Sequence, residues 1–173
     1  EDGQRIFTFG QDEGTQMFLS PSGPGGTVLF GITQNGFAGL EQLTALQPLP
    51  QNQWAHVAVT LDGDLGSLWM NGVLQSVQPV LLDPVDVVGP GAWLGRSLDA
   101  ADPYFHGVMD EVQVYDRALA PAEIESLARG EFSTTGPQTA VVSIEVLPIT
   151  RGDLRFENLP ANPLLVGVPV ALG

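Results

Sequence analysis

The carboxylate with the most unusual predicted surroundings in this sequence is Asp110. Residues 107–115, G-V-M-D-E-V-Q-V-Y, alternate as a β-strand does. The members of one predicted face are Val108, Asp110, Val112 and Val114. A carboxylate buried among valines must bind a metal, accept hydrogen bonds or pair with a cation. The sequence leaves these alternatives open: Asp110 is a metal ligand, an acceptor for backbone amides, or the partner of Arg117 or Arg96.

A second group of polar side chains lies in residues 99–106, a predicted loop rich in aspartate, proline and aromatic residues. Its candidate ligand contacts are Asp99, Asp102, Tyr104 and His106. Carboxylates beside aromatic rings suit cation-assisted binding of a sugar at the rim of a domain. The alternative is a solvated turn in which the aspartates accept hydrogen bonds from nearby backbone amides.

Tryptophans provide flat rings on which a sugar can stack, and Trp69 and Trp93 are the candidates here. The alternative is structural, because most tryptophans at strand positions pack in or beside the core. Both residues are therefore kept as candidate ligand contacts with core packing as the competing interpretation.

Motifs for catalysis are missing from the sequence. His56 and His106 lie on separate segments without a partner at metal-ligand spacing, which argues against a zinc site. There is no G-x-S-x-G elbow, phosphate-binding loop or dinucleotide fingerprint. A two-carboxylate glycosidase needs both acids beside one bond, whereas Asp110 and Glu111 point to opposite faces of a strand. We predict that the chain is not an enzyme.

Many short strands must position these side chains. Residues 54–61, W-A-H-V-A-V-T-L, alternate cleanly, and Asn71-Gly72 between two apolar runs is a strong hairpin signal. Pro121 and Glu123 mark the start of one short helix, and Gly130 marks its end. The sequence predicts an all-β fold: an antiparallel β-sandwich or jelly roll with one short helix.

Composition narrows the classes of partner. The net charge is −14, and all six cationic residues are arginines. Nucleic acid and anionic membranes bind basic surfaces, so both are disfavoured as partners, whereas cations and neutral glycans are compatible with this charge. The sequence has no cysteine, and none of its apolar runs is long enough to insert into a membrane.

Four segments together resemble a laminin-G-like domain of the concanavalin A-like lectin/glucanase fold. They are W-A-H-V-A-V-T-L-D-G from Trp54, L-W-M-N-G-V from Leu68, W-L-G-R-S from Trp93 and G-V-M-D-E-V-Q-V-Y-D-R-A-L-A-P-A-E-I from Gly107. The resemblance covers roughly residues 5–127. It implies two curved antiparallel sheets packed face to face in a non-catalytic module of a secreted or surface protein.

The resemblance also implies ligands. Such domains bind glycans or extracellular proteins, often with Ca²⁺, and a structural Ca²⁺ is therefore the implied cofactor. In related folds an aspartate on the late strand helps to hold this ion together with carbonyl oxygens from the early chain, which assigns the metal-ligand role to Asp110. Strands that the family has upstream of residues 5–9 are missing from this chain, so something else is expected to cover the adjacent sheet edge.

The domain prediction separates residues 1–131, the sandwich, from residues 132–173, a linker followed by a β-strand tail or the start of a second domain. Our main functional prediction is an extracellular recognition or adhesion module that binds a glycan or a protein. One alternative is a structural subunit of an extracellular or viral assembly, a homo-oligomer or filament in which the tail donates strands to a neighbour. A weaker alternative is an accessory domain of a glycoside hydrolase.

Overall fold

The first of two packed sheets, here called the front sheet, has five antiparallel strands. The computed structural model describes residues 3–131, 164–166 and 168–172. In spatial order the front-sheet strands are β4 (Glu41–Thr44), β3 (Leu29–Thr33), β2 (Thr15–Ser20), β1 (Phe7–Asp12) and β8 (Gly91–Leu94). Consecutive strands β1 to β4 are neighbours, and β8 returns from later in the chain to pair with β1.

The second sheet, here called the back sheet, also has five strands. In spatial order they are β7 (Val73–Pro79), β6 (Leu65–Met70), β5 (Ala55–Asp62), β12 (Val168–Leu172) and β9 (Gly107–Met109). A separate pair joins β10 (Gln113–Tyr115) to β11 (Leu164–Val166). The helical elements are α1 (Pro121–Ala128) and two short 3-10 helices, Gly36–Gly39 and Pro84–Val87.

Alternation along the strands sends one set of side chains from each sheet into a shared core. The front sheet contributes Phe7, Phe9, Met17, Leu19, Phe30, Ile32 and Leu43, and the back sheet contributes Val57, Val59, Leu61, Leu68 and Met70. The predicted inward face of residues 54–61 is thereby confirmed. Burial of each large apolar side chain stabilises the fold by about 1.5–3 kcal/mol, so this layer is the main source of stability.

The hairpin between β6 and β7 forms at the predicted Asn71-Gly72 turn. Both residues have positive φ angles, 52° and 77°, as the tight two-residue turn requires. The Asn71 side chain also reaches β5, because its Oδ1 accepts the His56 amide at 2.9 Å while its own amide donates to the His56 carbonyl at 2.8 Å. The turn thus fixes the ends of the β6–β7 pair and the β5–β6 pair.

The strand predicted for residues 107–115 is interrupted, and this interruption changes which side chains face the core. Met109 and Val112 are both buried, whereas Val108 is 55% exposed and Asp110 is also exposed. Glu111, which lies between the buried Met109 and Val112, has a φ of 50°. This left-handed conformation breaks the alternation. The prediction of one face shared by Val108, Asp110, Val112 and Val114 is therefore wrong.

Pro169 offers a physical reason for the interruption. Met109 pairs with Val170 before the break and Gln113 pairs with Val166 after it, so three residues separate the paired positions on each strand. This common register places Asp110 across from Pro169. Proline has no N–H to donate to a ladder, so an interior strand tolerates it where the neighbouring strand departs from regular pairing.

Helix α1 packs on the outer face of the back sheet, where Leu119 and the fully buried Ile124 contact Ala58 and Trp69. Its start matches the prediction, with Pro121 as the first helical residue. Glu123 accepts the Ala120 amide at 2.8 Å and two hydrogen bonds from Arg117, at 2.8 and 2.7 Å. These bonds, chiefly those from Arg117, lower the pKa of Glu123 to about 2.

The predicted fold class is confirmed: an antiparallel β-sandwich with one short α-helix. The division at residue 131 stays a prediction, because residues 132–163 lie outside the described residues. Within the described part of the chain, no helix combines the length and apolar character needed to cross a membrane.

Stability should fall in mild acid because of His56. Its side chain is only 8% exposed, and neither ring nitrogen has a hydrogen-bond partner among the described residues. Burial lowers the pKa of His56 from 6.5 to about 4. As the pH falls, the imidazole of His56 takes up a proton in the unfolded chain before it does so in the folded chain. The contribution of neutral His56 to stability is therefore fully present above pH 6.5 and is lost as the pH falls towards 4. Denaturant titrations should show a loss of about 2 kcal/mol between pH 7 and pH 5 from this group.

The matched variants are His56→Gln and His106→Gln, since the side chain of His106 is exposed. The first should remove most of the loss between pH 7 and pH 5, and the second should leave it unchanged. Equal pH dependence in both variants would contradict the assignment to His56.

Candidate functional site

The predicted loop at residues 99–106 begins beyond the end of β8 and is closed by backbone hydrogen bonds. The Phe105 amide donates to the Gly95 carbonyl at 2.9 Å, and the Gly95 amide donates to the Ile6 carbonyl at 2.8 Å. Phe105 packs against the core. The loop is therefore fixed at its base to the front sheet.

Asp99 acts as a turn residue inside this loop. Its Oδ1 accepts the Ala101 amide at 2.8 Å, its carbonyl accepts the Asp102 amide at 3.3 Å, and its own amide donates to Ser97 Oγ at 3.2 Å. These contacts agree with the interpretation of Asp99 as a capping aspartate. Its contact with a ligand stays a prediction.

Gln4 joins the start of the chain to the other end of the loop. This side chain is 5% exposed, and its Oε1 accepts the His106 amide at 2.8 Å. The Gln4 carbonyl accepts the Ser20 hydroxyl at 2.9 Å, which ties the same residue to β2. One buried glutamine thus positions His106 relative to the front sheet.

Asp102 lies beside Gly3 and Arg5. A Cβ atom on Gly3 would lie 2.5 Å from Asp102 Oδ1, and Gly3 has a φ of 88°, so both contact and backbone favour glycine. Burial lowers the pKa of Arg5, and the negative charge of Asp102 opposes that effect. The carboxylate of Asp102 therefore helps to keep a half-buried guanidinium charged.

Two arginines stack on aromatic rings on the outer face of the front sheet. Trp93 pairs with Thr8, and Thr8 pairs with Phe18, so the three residues form a row across adjacent strands. The Arg5 guanidinium lies 4.3 Å from the centre of the Phe18 ring, and the Arg96 guanidinium lies 4.6 Å from the centre of the Trp93 ring. Two strand spacings, roughly 10 Å, separate the two aromatic positions.

Exposure distinguishes the aromatic members of this surface. Tyr104 is 66% exposed, Trp93 is half-buried and Phe18 is only 6% exposed beneath Arg5. The hydroxyl of Thr8, in the middle of the row, is buried and has no hydrogen-bond partner among the described residues. We call Arg5, Trp93, Arg96, Asp102, Tyr104 and His106 the loop surface.

Trp69 lies on the other sheet. It is 9% exposed and packs with Ala58, Leu119 and Ile124 beneath α1. Its buried Nε1 has no hydrogen-bond partner in the described part of the chain. The structure therefore corrects the proposal of a sugar platform at Trp69: the ring packs against the helix and has little surface left for a ligand.

Asp110 also differs from its predicted environment, since it is exposed. Its Oδ1 accepts the Glu111 amide at 2.8 Å, which is one of the predicted alternatives. Arg117, one of the predicted partners of Asp110, makes two hydrogen bonds to Glu123. No cluster of three or more acidic or histidine side chains suited to a metal occurs among the described residues. The role of Asp110 as a Ca²⁺ ligand stays a prediction.

Sequence patterns did not indicate Gln4, Arg5 or Phe18 as neighbours of the loop. Their proximity depends on the register of three strands, and on hydrogen bonds between residues about one hundred positions apart, such as Gln4 and His106. An arginine two residues before an aromatic strand is a weak signal on its own. The loop and Trp93 were predicted, but the arginine stacks were not.

Comparison with known proteins adds a family. Residues 1–125 match a laminin G family described as the concanavalin A-like lectin/glucanases superfamily. No curated protein matches the chain. The chain is also similar to the crystal structure of an S-layer domain-containing protein from Clostridium thermocellum ATCC 27405, with 31% identity and a TM-score of 0.38. That similarity covers 74% of this chain and 64% of the other.

The loop should loosen when Gln4 is shortened. Gln4→Ala removes the acceptor of the His106 amide, and an unpaired buried group of this kind costs about 1–3 kcal/mol. Amide exchange followed by NMR should show His106 exchanging at least about tenfold faster, while the amides of β2 change little. Gln4→Glu is the matched control, because it keeps an oxygen acceptor of the same length. Unchanged exchange at His106 in Gln4→Ala would contradict the role of Gln4.

Proposed function

This chain belongs to the laminin G-like family of the concanavalin A-like lectin/glucanases superfamily, and we propose that it is a non-catalytic recognition module that binds a glycan outside the cell. The observation that supports this most is the pair of arginine–aromatic stacks on one sheet face, with the half-buried Trp93 in one of them, next to a loop that is tied to the same sheet and contains the exposed Tyr104. The extracellular or cell-surface location is part of the proposal and is supported by the family.

The chemistry of the loop surface favours a sugar. Aromatic rings such as Tyr104 and the accessible part of Trp93 pack against the apolar faces of sugar rings. Guanidinium groups donate hydrogen bonds to hydroxyl oxygens, and a carboxylate such as Asp102 accepts hydrogen bonds from hydroxyl groups. Because the loop is pinned by Gln4 and Gly95, these groups keep their relative positions before a ligand arrives.

The net charge of −14 supports a neutral ligand. A polyanion such as nucleic acid would approach a chain whose net charge has the same sign, which lowers its association rate and affinity. An extracellular protein is the other ligand class compatible with this surface. Such a protein would bind through the same residues, but free sugars added to the binding assay would not compete with it.

The proposal excludes bond cleavage. Laminin G-like domains are generally non-catalytic. Asp99, in the same loop, is held in a turn, and Asp102 of the loop surface lies beside Arg5, so both carboxylates have structural contacts. An accessory domain of a glycoside hydrolase would use the same glycan surface, with the cleavage performed elsewhere.

A second candidate function is a structural subunit of an extracellular or viral assembly. The position of β12 favours it, since a segment from the C-terminal part of the chain lies between β5 and β9. Strands in that position can pass between copies of a protein.

Removal of the Trp93 ring should abolish most glycan binding. On a glycan array with the full chain, Trp93→Ala should weaken binding by about tenfold, because the lost stack, about 0.5–1.5 kcal/mol, adds to the lost burial of apolar area, and each 1.4 kcal/mol is a tenfold change in Kd. Trp54→Ala is the matched control: Trp54 is 55% exposed but precedes β5 in the back sheet. Equal binding by Trp93→Ala and wild type would contradict the proposed surface.

A structural Ca²⁺ at Asp110 is also part of the proposal. Ca²⁺ needs 6–8 oxygen ligands, so carbonyl oxygens, waters or ligand hydroxyls would have to complete a site around this exposed carboxylate. Calorimetric titration of the wild type with CaCl₂ should give a saturable heat that Asp110→Asn loses and that Asp99→Asn keeps. Identical traces for the wild type and Asp110→Asn would exclude Asp110 as a ligand.

A further inference from the structure

A strand from the C-terminal part of the chain occupies an interior position in the back sheet. On one side of β12, Val168, Pro169 and Val170 pair with Val57, His56 and Ala55. On the other side, Val170, Ala171 and Leu172 pair with Met109, Val108 and Gly107. We call the gap between β5 and β9 that this strand fills the strand slot.

Both walls of the strand slot need an occupant. Ala55 and Val57 on β5 are each 1% exposed, and Met109 on β9 is 9% exposed, so these strands belong to the core. Their backbone amides and carbonyls on the slot side must be satisfied by a neighbouring strand or by water. An open slot would leave two unpaired strand edges, which readily pair with another extended chain.

The place where pairing stops in the strand slot selects a strand with a proline in one register. Regular pairing on the β9 side stops at Asp110, across from Pro169, and Glu111 turns away with its φ of 50°. A strand shifted by one position in one direction would place the proline across from Met109, where regular pairing needs an N–H donor. A shift in the other direction would place it across from Glu111, where the chain of β9 has already turned away. Residues 164–172 are therefore the occupant that the slot accommodates best.

The connection to this strand does not restrict which copy provides it. Residues 132–163 join it to the rest of the chain, and roughly thirty residues can span at most about 100 Å. The entropic cost of closing a loop rises only with the logarithm of its length, so a connection this long gives the chain's own strand a limited advantage. A strand from a neighbouring copy would make the same backbone hydrogen bonds in the slot.

We propose that the strand slot is an exchange site between copies of this chain. Residues 164–172 of a second copy replace the chain's own strand at high protein concentration. A reciprocal exchange gives a closed dimer, and a non-reciprocal exchange gives a linear chain of subunits. The proposal is independent of the glycan surface, which lies on the front sheet.

Cysteine cross-linking between two variant chains tests the exchange, because the natural sequence has no cysteine. One chain has Val108→Cys and the other has Ala171→Cys, positions that are directly paired across the slot. The two full-length variants are unfolded together, refolded at high concentration and mildly oxidised. The expected result is a disulfide-linked dimer with one copy of each variant, identified by mass spectrometry. Neither variant alone should give this product.

The controls separate exchange from random contact and from a wrong register. Leu165→Cys pairs with position 114, not 108, and lies roughly 20 Å along the strand from position 171, so it should not cross-link to Val108→Cys. The double variant Val108→Cys/Ala171→Cys reports the slot within one chain. If it forms an internal disulfide but the mixture gives no mixed dimer above the Leu165→Cys background, exchange is overturned. If neither cross-link forms, the slot itself is overturned.

Discussion

The constraint on which the back sheet depends is that β5 and β9 do not pair with each other, so a third strand must satisfy the backbone of both. β12 fills this position, with ladder partners on each side. The inward side chains of β5 and β9 can then remain in the core that they share with the front sheet. The outer face of the same sheet supports α1 through Ala58 and Trp69.

The front sheet and its loop have a different role. There, the first residues of the described chain hold the loop through Gln4 and align Arg5 with Phe18. Trp93 and Arg96 form the neighbouring stack on the same face. Both sheets contribute to the core, whereas the proposed strand exchange belongs to the back sheet and the proposed ligand surface belongs to the front sheet.

Several features of this fold follow directly from local sequence. Alternation at Val57, Val59 and Leu61, the Asn71-Gly72 turn and the proline at the start of α1 each depend on nearby residues alone. The environments of Asp110 and Trp69 do not. A single left-handed residue, Glu111, reverses the faces of the strand near Asp110, and Trp69 is buried by α1, which begins 52 positions later in the chain, at Pro121. The candidate site was predicted in its loop, but its arginine–aromatic stacks depend on register between distant strands.

The most direct test of the central claim is residue-level amide hydrogen exchange of the full chain, compared between the two sheets. If β12 is an interior strand, β5 has a paired strand on each side, as β1 and β2 do, so its amides should exchange as slowly as theirs. Exchange of alternate β5 amides, those on the side away from β6, at the rate of the exposed loop while β1 and β2 stay protected would show an open slot and contradict this account.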